Sequence, residues 1–271
     1  PSPKERGIKQ KEYMFIDTHA HLNYPDIVKN IDEVLSRAAD SGVEAIIVPA
    51  TTYQTSIEIV ELVQKHKMLY AAVGIHPTEL KDFDESHLPK IEELAKESKV
   101  VAIGEIGLDY YWEPYDRELE IMVITEQLRI AKRTGLPVIL HNRKSTDDLM
   151  RIVKAEYEGG KLKGQFHSFS AGPVEAKECV EMGFYISFTG NITYKPNEGT
   201  YIAYDIVKQT AAEHLLLETD TPYLPPVPYR GKQNEPSYVK HTAAKIAELK
   251  EMSVEELGRI TTENAKRLYG I

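Results

Sequence analysis

Two histidines separated by one alanine lie near the start of the chain, directly after the apolar run Met14-Phe-Ile16. The motif is Asp17-Thr-His-Ala-His21. In an extended segment, side chains two residues apart point to the same face. The imidazoles of His19 and His21 can therefore reach one ion at about 2.0–2.1 Å from each nitrogen. Alone, the motif fits a pair of surface histidines equally well, so the metal interpretation depends on the other ionisable residues.

Further ionisable side chains follow later apolar runs at the predicted ends of strands. They are His76, Glu105, Asp109, His141, His167 and Asp220. In a barrel of parallel strands these ends meet at one face, where the active sites of this fold lie. Six side chains have the chemistry to hold two metal ions: His19, His21, Glu105, His141, His167 and Asp220.

Glu105 is the natural bridge between two ions, because a carboxylate can offer one oxygen to each. A mixture of imidazole and carboxylate suits Zn, Mn, Fe or Ni, and suits Mg less well. Two divalent cations about 3.5–4 Å apart would activate a bridging water and stabilise a leaving oxygen. The pattern therefore predicts a metal-assisted hydrolytic site.

Short apolar runs alternate with amphipathic segments over most of the chain. The predicted strands are 15–17, 45–49, 69–74, 100–106, 137–140, 164–167, 184–188 and 215–218. The predicted helices are 31–41, 55–66, 87–96, 117–134, 146–156, 173–182, 201–209, 241–249 and 254–268. Gly42, Gly135 and Gly183 are expected to end helices in the left-handed conformation. Eight strands over about 250 residues predict an α/β chain folded as a (β/α)8 TIM barrel, with an open doubly wound sheet as the alternative.

Composition narrows the class of protein further. The 271 residues are 42% hydrophobic and 28% charged, with a net charge of −9, which favours a globular protein without a broad basic face for duplex DNA. No apolar run approaches the 18 or so residues of a membrane span.

The single Cys179 and the absence of a secretory signal favour a cytoplasmic location. We expect a buried structural role for Cys179 and structural roles for four histidines: His66, His87, His214 and His241.

The chain divides into two parts in this interpretation. Residues 1–13 are polar and are expected to be an upstream extension or a cloning remnant. Residues 14–271 are expected to form one hydrolase domain, because no linker, repeat or low-complexity segment interrupts them. The proline-rich stretch 218–240 is the longest irregular connection, and such a loop is usually functional in a compact enzyme. A monomer is the favoured oligomeric state.

A series of short motifs resembles the TatD family of metal-dependent deoxyribonucleases, in the amidohydrolase superfamily of barrels. The motifs are Asp17-Thr-His-Ala-His21, Gly74-Ile-His-Pro77, Gly104-Glu-Ile-Gly-Leu-Asp109, His141-Asn-Arg143, Phe166-His-Ser-Phe169, Glu218-Thr-Asp-Thr-Pro222, Arg230-Gly-Lys-Gln-Asn-Glu-Pro236 and Thr261-Thr-Glu-Asn-Ala265. Each motif is weak alone, and their order is specific. Lys144 departs mildly from the family, in which an acidic residue more often follows the arginine.

The resemblance implies two metal sites that share Glu105. One site has His19, His21, Glu105 and Asp220, and the other has Glu105, His141 and His167. It also implies hydrolysis of phosphodiesters, as 3′-to-5′ trimming of single-stranded DNA. Removal of D-amino acids from tRNA is a further activity credited to family members.

Residue chemistry suggests roles beyond metal binding. Asp220 is a hypothetical general base for the attacking water, and His76 either binds a phosphate oxygen or protonates the leaving alkoxide. Arg143 can grip a phosphate through its planar fork. Asp109 is expected to orient a ligating histidine. The residues expected to position the nucleotide chain are Arg230, Lys232 and Asn234, and those that could stack a base are Tyr110, Tyr111 and Trp112.

Two other functions compete with a nuclease. A C–N amidohydrolase on the same barrel often bridges its metals with a carboxylated lysine on the fourth strand, but that strand carries Glu105 and no lysine. A non-catalytic metal-binding or scaffold protein would be expected to lack a ligand, and none of the six is missing. The sequence therefore favours the nuclease.

Overall fold

Eight parallel strands form one sheet in which neighbours follow the order of the chain. The computed structural model describes residues 14–271, and the predicted extension 1–13 lies outside the described residues. The strands are β1 (Phe15–Asp17), β2 (Val43–Pro49), β3 (Leu69–Val73), β4 (Val100–Asp109), β5 (Val138–Arg143), β6 (Gly164–Phe166), β7 (Tyr185–Phe188) and β8 (Leu215–Leu217). This arrangement confirms the predicted (β/α)8 barrel and rules out the open doubly wound sheet.

Helices alternate with the strands and cover the outside of the barrel. They are α1 (Pro25–Val28), α2 (Ile31–Asp40), α3 (Tyr53–Lys65), α4 (His87–Leu94), α5 (Arg117–Thr134), α6 (Thr146–Glu156), α7 (Pro173–Glu181), α8 (Glu198–Gln209), α9 (Val239–Lys250) and α10 (Val254–Tyr269). Short 3₁₀ segments occupy Pro77–Asp82, Gly190–Thr193, Ala212–His214 and Pro236–Tyr238. Among residues 14–271, no helix has the length and apolar character needed to cross a membrane.

Local sequence explains where the helices begin and end. Asp116 opens α5 by accepting hydrogen bonds from two backbone N–H groups of the first turn, and Gly135 closes that helix with φ 73°. Gly42 (φ 90°) and Gly183 (φ 82°) also adopt the predicted left-handed conformation, in which glycine has no Cβ to clash. The side chain of Ser253 caps α10 by accepting a hydrogen bond from the N–H of Glu256.

The barrel closes through the backbone that directly follows β1 and β8. Thr18 N–H donates to the carbonyl of Leu217 at 2.9 Å, and Asp220 N–H donates to the carbonyl of His19 at 2.9 Å. An isolated parallel bridge joins Ala20 to Thr221. The segments that carry predicted metal ligands therefore also form the closing seam.

The apolar core has two parts. The larger part lies between the strands and the surrounding helices and includes the buried thiol of Cys179, as expected. The smaller part draws on strands around the barrel and includes Ile47, Ala102, Leu216 and, from α10, Leu268 and Tyr269. Residues of the C-terminal helix thus pack into the barrel interior.

Several element boundaries differ from those predicted. β4 and β5 run three residues further, because pairing continues from Gly107 with His141 to Asp109 with Arg143. Glu105 therefore lies inside β4 instead of at its end. β6 and β8 stop one residue earlier, so that His167 and Asp220 lie in the loops that follow. α8 begins three residues earlier, because Asn197 accepts a hydrogen bond from Thr200 N–H at 3.0 Å.

The side chain of Asn264 attaches α10 to the segment before β8. Its buried amide donates to the carbonyls of Ala212 at 2.8 Å and Leu215 at 2.9 Å. Replacement by alanine leaves two buried carbonyls without these donors, and each such loss costs about 1–3 kcal/mol. We predict that Asn264→Ala lowers the free energy of unfolding by about 2–3 kcal/mol in urea titrations. Glu263→Ala, on the exposed face of the same helix, should change the free energy of unfolding by less than about 0.5 kcal/mol. Equal effects of the two substitutions would contradict the role of Asn264 in attaching α10.

Candidate metal centre

The carboxylate of Glu105 lies at the centre of a group of histidines, and its two oxygens face different ones. Oε2 lies 3.2 Å from His19 Nε2 and 3.4 Å from His21 Nε2. Oε1 lies 2.9 Å from His141 Nδ1 and 3.5 Å from His76 Nε2. The division of neighbours between the two oxygens is the arrangement required of a carboxylate that bridges two cations.

On the Oε2 side, His19, His21 and Asp220 form a compact group. The Nε2 atoms of the two histidines are 3.1 Å apart, and they lie 3.7 Å and 3.8 Å from Oδ1 of Asp220. Ligands bound at 2.0–2.1 Å to one tetrahedral ion are about 3.3 Å apart. The spacing of these donor atoms therefore suits a single divalent cation.

On the Oε1 side, the two predicted ligands each contact a second carboxylate. His141 directs Nδ1 at Glu105 and Nε2 at Oδ2 of Asp109, 3.0 Å away. His167 directs Nε2 at Oε1 of Glu105 at 3.8 Å and Nδ1 at Oε1 of Glu218 at 3.0 Å. Contacts of this kind orient metal-ligating imidazoles in proteins.

Burial sets the charge of the groups at this centre. Burial, aided by His167, lowers the pKa of His19 to about 3, so that its imidazole is neutral and can act as a ligand. Burial alone would raise the pKa of Glu105, but the surrounding imidazoles outweigh it and hold that pKa well below its ordinary value. Burial also raises the pKa of Asp220 to about 6, which leaves it ionised at pH 7.

These residues fit divalent cations by both position and chemistry. Three overlapping groups have donor atoms close enough to share an ion: His19, His21 and Asp220; His19, Glu105 and His167; and His76, Glu105 and His141. Facing imidazole nitrogens repel one another when neutral unless a proton or a cation lies between them. His76, to which the sequence interpretation assigned no metal role, belongs to the third group.

The centre opens into a pocket of about 580 Å³ at the C-terminal mouth of the barrel. Arg143 lies at its rim, with its guanidinium carbon 3.9 Å from the ring centroid of Tyr111 and 5.3 Å from that of Trp112. Tyr24 and Tyr223, which also line the pocket, join their hydroxyl groups at 2.7 Å. The mouth of the barrel therefore combines the guanidinium of Arg143 with exposed aromatic rings.

The other residues predicted to bind substrate lie away from this pocket. Arg230 packs its guanidinium on Tyr194 at 4.2 Å, and Lys232 lies 5.7 Å from the ring of Tyr229. Asn234 is buried, and its amide donates to the carbonyls of Thr219 and Tyr223. Asn234 therefore braces the long loop from within, and its role in positioning the nucleotide chain stays a prediction.

Tyr110 also differs from its predicted role. Its hydroxyl donates to Asp148 Oδ2 at 2.9 Å, and its ring stacks on Tyr115 with centroids 5.1 Å apart. Of the three aromatic residues considered for base stacking, Trp112 alone lines the mouth pocket. Tyr111 is exposed and stacks with Arg143 at the rim, so Tyr111 and Trp112 stay candidates.

The four histidines expected to be structural lie outside the groups that could hold a metal ion among residues 14–271. His87 stacks on Tyr53 with centroids 5.2 Å apart, and His214 Nδ1 contacts the carbonyl of Phe184 at 3.2 Å. His66 lies 3.7 Å from Asp32, and His241 packs against Tyr229.

Sequence reasoning missed three residues at this site. Glu218 is two residues before Asp220, a spacing that could have indicated a shared face, yet no role was assigned to it. Tyr24 and Tyr223 lie three residues after the predicted ligands His21 and Asp220, respectively. No periodic signal marks the two tyrosines, because they lie in loops.

Comparison with known proteins agrees with this site. The model of the family described as TatD-related DNase matches residues 16–270. The chain is 43% identical over 258 residues to the uncharacterized metal-dependent hydrolase YabD of Bacillus subtilis (strain 168), covering 95% of this chain and 100% of that protein. It is 35% identical to the uncharacterized metal-dependent hydrolase YcfH of Escherichia coli (strain K12), covering 94% and 96%. The crystal structure of YjjV, a TatD homologue from Escherichia coli K12, superposes with a TM-score of 0.89 at 33% identity, covering 95% and 98%.

Fold, site and relatives define the class of protein as a metal-dependent hydrolase built on a (β/α)8 barrel. Within that class, the chain belongs to the TatD-related DNase family. The resemblance found in the motifs is therefore confirmed over nearly the whole chain.

If Glu105 bridges two cations, its charge should be required for both. We predict that Glu105→Gln retains less than about half of the metal bound by the wild type after dialysis, measured by inductively coupled plasma mass spectrometry. Glu79→Gln is the matched control, because Glu79 is an exposed carboxylate at the rim of the same pocket. Wild-type metal content in Glu105→Gln would contradict the bridging role.

Proposed function

We propose that the protein hydrolyses phosphodiester bonds at the 3′ ends of single-stranded DNA. The observation that carries the proposal is the division of the Glu105 oxygens between two groups of imidazoles, below a mouth that presents Arg143. Two adjacent cations suit the in-line displacement at a phosphate, in which both the attacking and the leaving oxygen carry charge.

The depth of the centre supports a single-stranded end as substrate. His19 and Glu105 are 0% and 3% exposed, respectively. A phosphate inside a duplex is flanked on both sides by further helix and does not reach groups buried at the base of a pocket. The net charge of −9 also disfavours extended contact with a duplex. A free strand end can enter the pocket and place one phosphodiester at the centre.

The residues that would hold the cations are His19, His21, Glu105 and Asp220 for one, and Glu105, His141 and His167 for the other. When bound, the cations polarise the phosphate and acidify a coordinated water. Asp220 then accepts the proton of the attacking water, for which its ionised carboxylate at the mouth is suited. Arg143 binds a non-bridging oxygen of the phosphate, held in place by its stack on Tyr111.

His76 is placed to donate a hydrogen bond to the leaving oxygen. Its Nδ1 accepts a hydrogen bond from Thr78 N–H at 3.2 Å. A neutral imidazole that accepts at Nδ1 carries its proton on Nε2, and in His76 this atom faces the centre at 3.5 Å from Glu105. Burial lowers the pKa of His76, so its imidazole is neutral at pH 7 and stabilises the leaving oxygen through a hydrogen bond from Nε2–H.

A substrate panel tests the proposed activity. We predict that the metal-loaded protein shortens a single-stranded oligonucleotide with a free 3′ hydroxyl stepwise, and that an inverted 3′-terminal nucleotide protects it. Blunt duplex DNA, a cyclic amide and a D-aminoacyl-tRNA serve as competing substrates. Preferred turnover of the amide or the tRNA adduct would instead support the amidohydrolase or deacylase alternative.

Asp220→Asn is the control within this panel. The variant keeps an oxygen at the same position but cannot accept the proton, so its rate should fall by about 10²–10⁴ at saturating metal. Any nuclease that contaminates the preparation would not respond to the substitution. A wild-type rate in Asp220→Asn would therefore reject both the measured activity and the role of this residue.

The role of His76 can be separated from binding by varying the leaving group. With a p-nitrophenyl ester of thymidine 5′-monophosphate, the leaving phenolate needs no proton, so His76→Asn should lose less than about threefold in kcat. With a dinucleotide, the same variant should lose about 10²-fold or more. Equal losses on both substrates would assign His76 to phosphate binding instead.

A further inference from the structure

A chain of buried polar side chains runs through the barrel from the C-terminal helix to the metal centre. The hydroxyl of Tyr269, the last residue of α10, donates to Oε1 of Gln165 on β6. Nε2 of Gln165 donates to Oε2 of Glu218 at 2.7 Å. Oε1 of Glu218 then lies 3.0 Å from Nδ1 of His167. The path thus connects a residue of the helix that packs into the barrel interior to a predicted metal ligand.

The direction of each hydrogen bond is determined by chemistry. The amide oxygen of Gln165 can only accept, so Tyr269 must donate to it. This contact keeps the amide nitrogen of Gln165 directed at Glu218, while a second donation from that nitrogen reaches Ser187 Oγ at 2.8 Å. Glu218 also accepts from Ser168 N–H at 2.7 Å. Donors therefore hold both oxygens of the Glu218 carboxylate.

The position of Glu218 determines the orientation of His167. Oε1 of Glu218 lies 3.0 Å from Nδ1 of His167, although no hydrogen bond of good geometry reaches this nitrogen. A carboxylate beside Nδ1 favours the proton on that atom and leaves the lone pair of Nε2 free. Nε2 faces Glu105 at 3.8 Å and Asp220 at 3.9 Å.

Burial isolates this path from solvent. Gln165 and Glu218 are fully buried, so water cannot replace a lost partner. A buried acceptor or donor that loses its partner shifts or remains unsatisfied. The consequence of removing the Tyr269 hydroxyl therefore passes to Gln165 and then to Glu218.

We propose that Glu218, Gln165 and Tyr269 are positioning residues that orient His167 towards the second metal ion, so that occupancy of this ion depends on the docking of α10. The proposal rests on the assignment of His167 as a ligand in the proposed function. It extends that function by giving the C-terminal helix control over one of the two ions.

Titration of the metal-free protein with Co²⁺ tests the proposal, because the visible absorption of Co²⁺ reports affinity and ligand geometry without any turnover. Tyr269→Phe should weaken binding at one of two sites by about 3–10-fold, and Glu218→Gln by about 10–100-fold. The visible band of the weakened site should also change in shape. Tyr185→Phe is the matched control, because Tyr185 belongs to the same interior cluster and its hydroxyl contacts only Arg267 at 3.5 Å among the described residues.

A double-mutant cycle distinguishes a connected path from separate effects. Since Tyr269 acts through Gln165, the effects of Tyr269→Phe and Gln165→Leu on Co²⁺ affinity should not add. If both variants unfold more readily but bind Co²⁺ with wild-type affinity and spectrum, the residues are only structural and the proposal is overturned. Tyr269→Phe removes a single hydroxyl, so the test does not depend on the folding of Glu218→Gln.

His167→Ala tests separately the assignment of His167 as a metal ligand, on which the proposal rests. Loss of one Co²⁺ in His167→Ala, with wild-type binding in the positioning variants, would overturn the positioning role alone. Binding of two Co²⁺ with wild-type affinity in His167→Ala would overturn the ligand assignment and the positioning role together.

Discussion

A single buried carboxylate imposes the constraint on which this structure depends. Glu105 is 3% exposed, and burial of its charge is unfavourable unless polar or positive groups surround it. The compensation comes from imidazoles on four other segments of the chain, which include His19, His141 and His167. The strands must therefore be arranged so that all these segments reach one point, and a closed parallel barrel achieves this.

The polar network around Glu105 continues outwards in several directions. Asp109 holds His141, Glu218 holds His167, and Thr78 holds His76. Each of these imidazoles thus has a partner that helps to fix its orientation. Such preorganisation reduces the reorganisation that binding and catalysis would otherwise require.

The fold and the ligand set could be predicted from the sequence to the extent that they follow from periodicity and position. Alternating apolar runs predicted all eight strands, and side chains directly after those runs reach one face because the strands are parallel. No comparable rule relates the sequence of a loop to its path. The sequence therefore could not predict that Asn234 lies inside the loop or that Arg230 and Lys232 lie outside it. The extension of β4 also depends on pairing with β5, which the sequence of either strand alone does not reveal.

The closing seam has a consequence for the order in which the chain folds. Thr18 and Leu217, whose hydrogen bonds join the two ends of the sheet, are 199 positions apart, and contacts of such high sequence separation carry a large entropic cost of loop closure. We expect them to form late, because strands already in place between them shorten the loop that must be closed. His19 and Asp220 lie on opposite sides of this seam, so the group of donor atoms that they form with His21 is complete only when the barrel is closed. A cation bound by these donors would therefore discriminate a completed barrel from a partly assembled one.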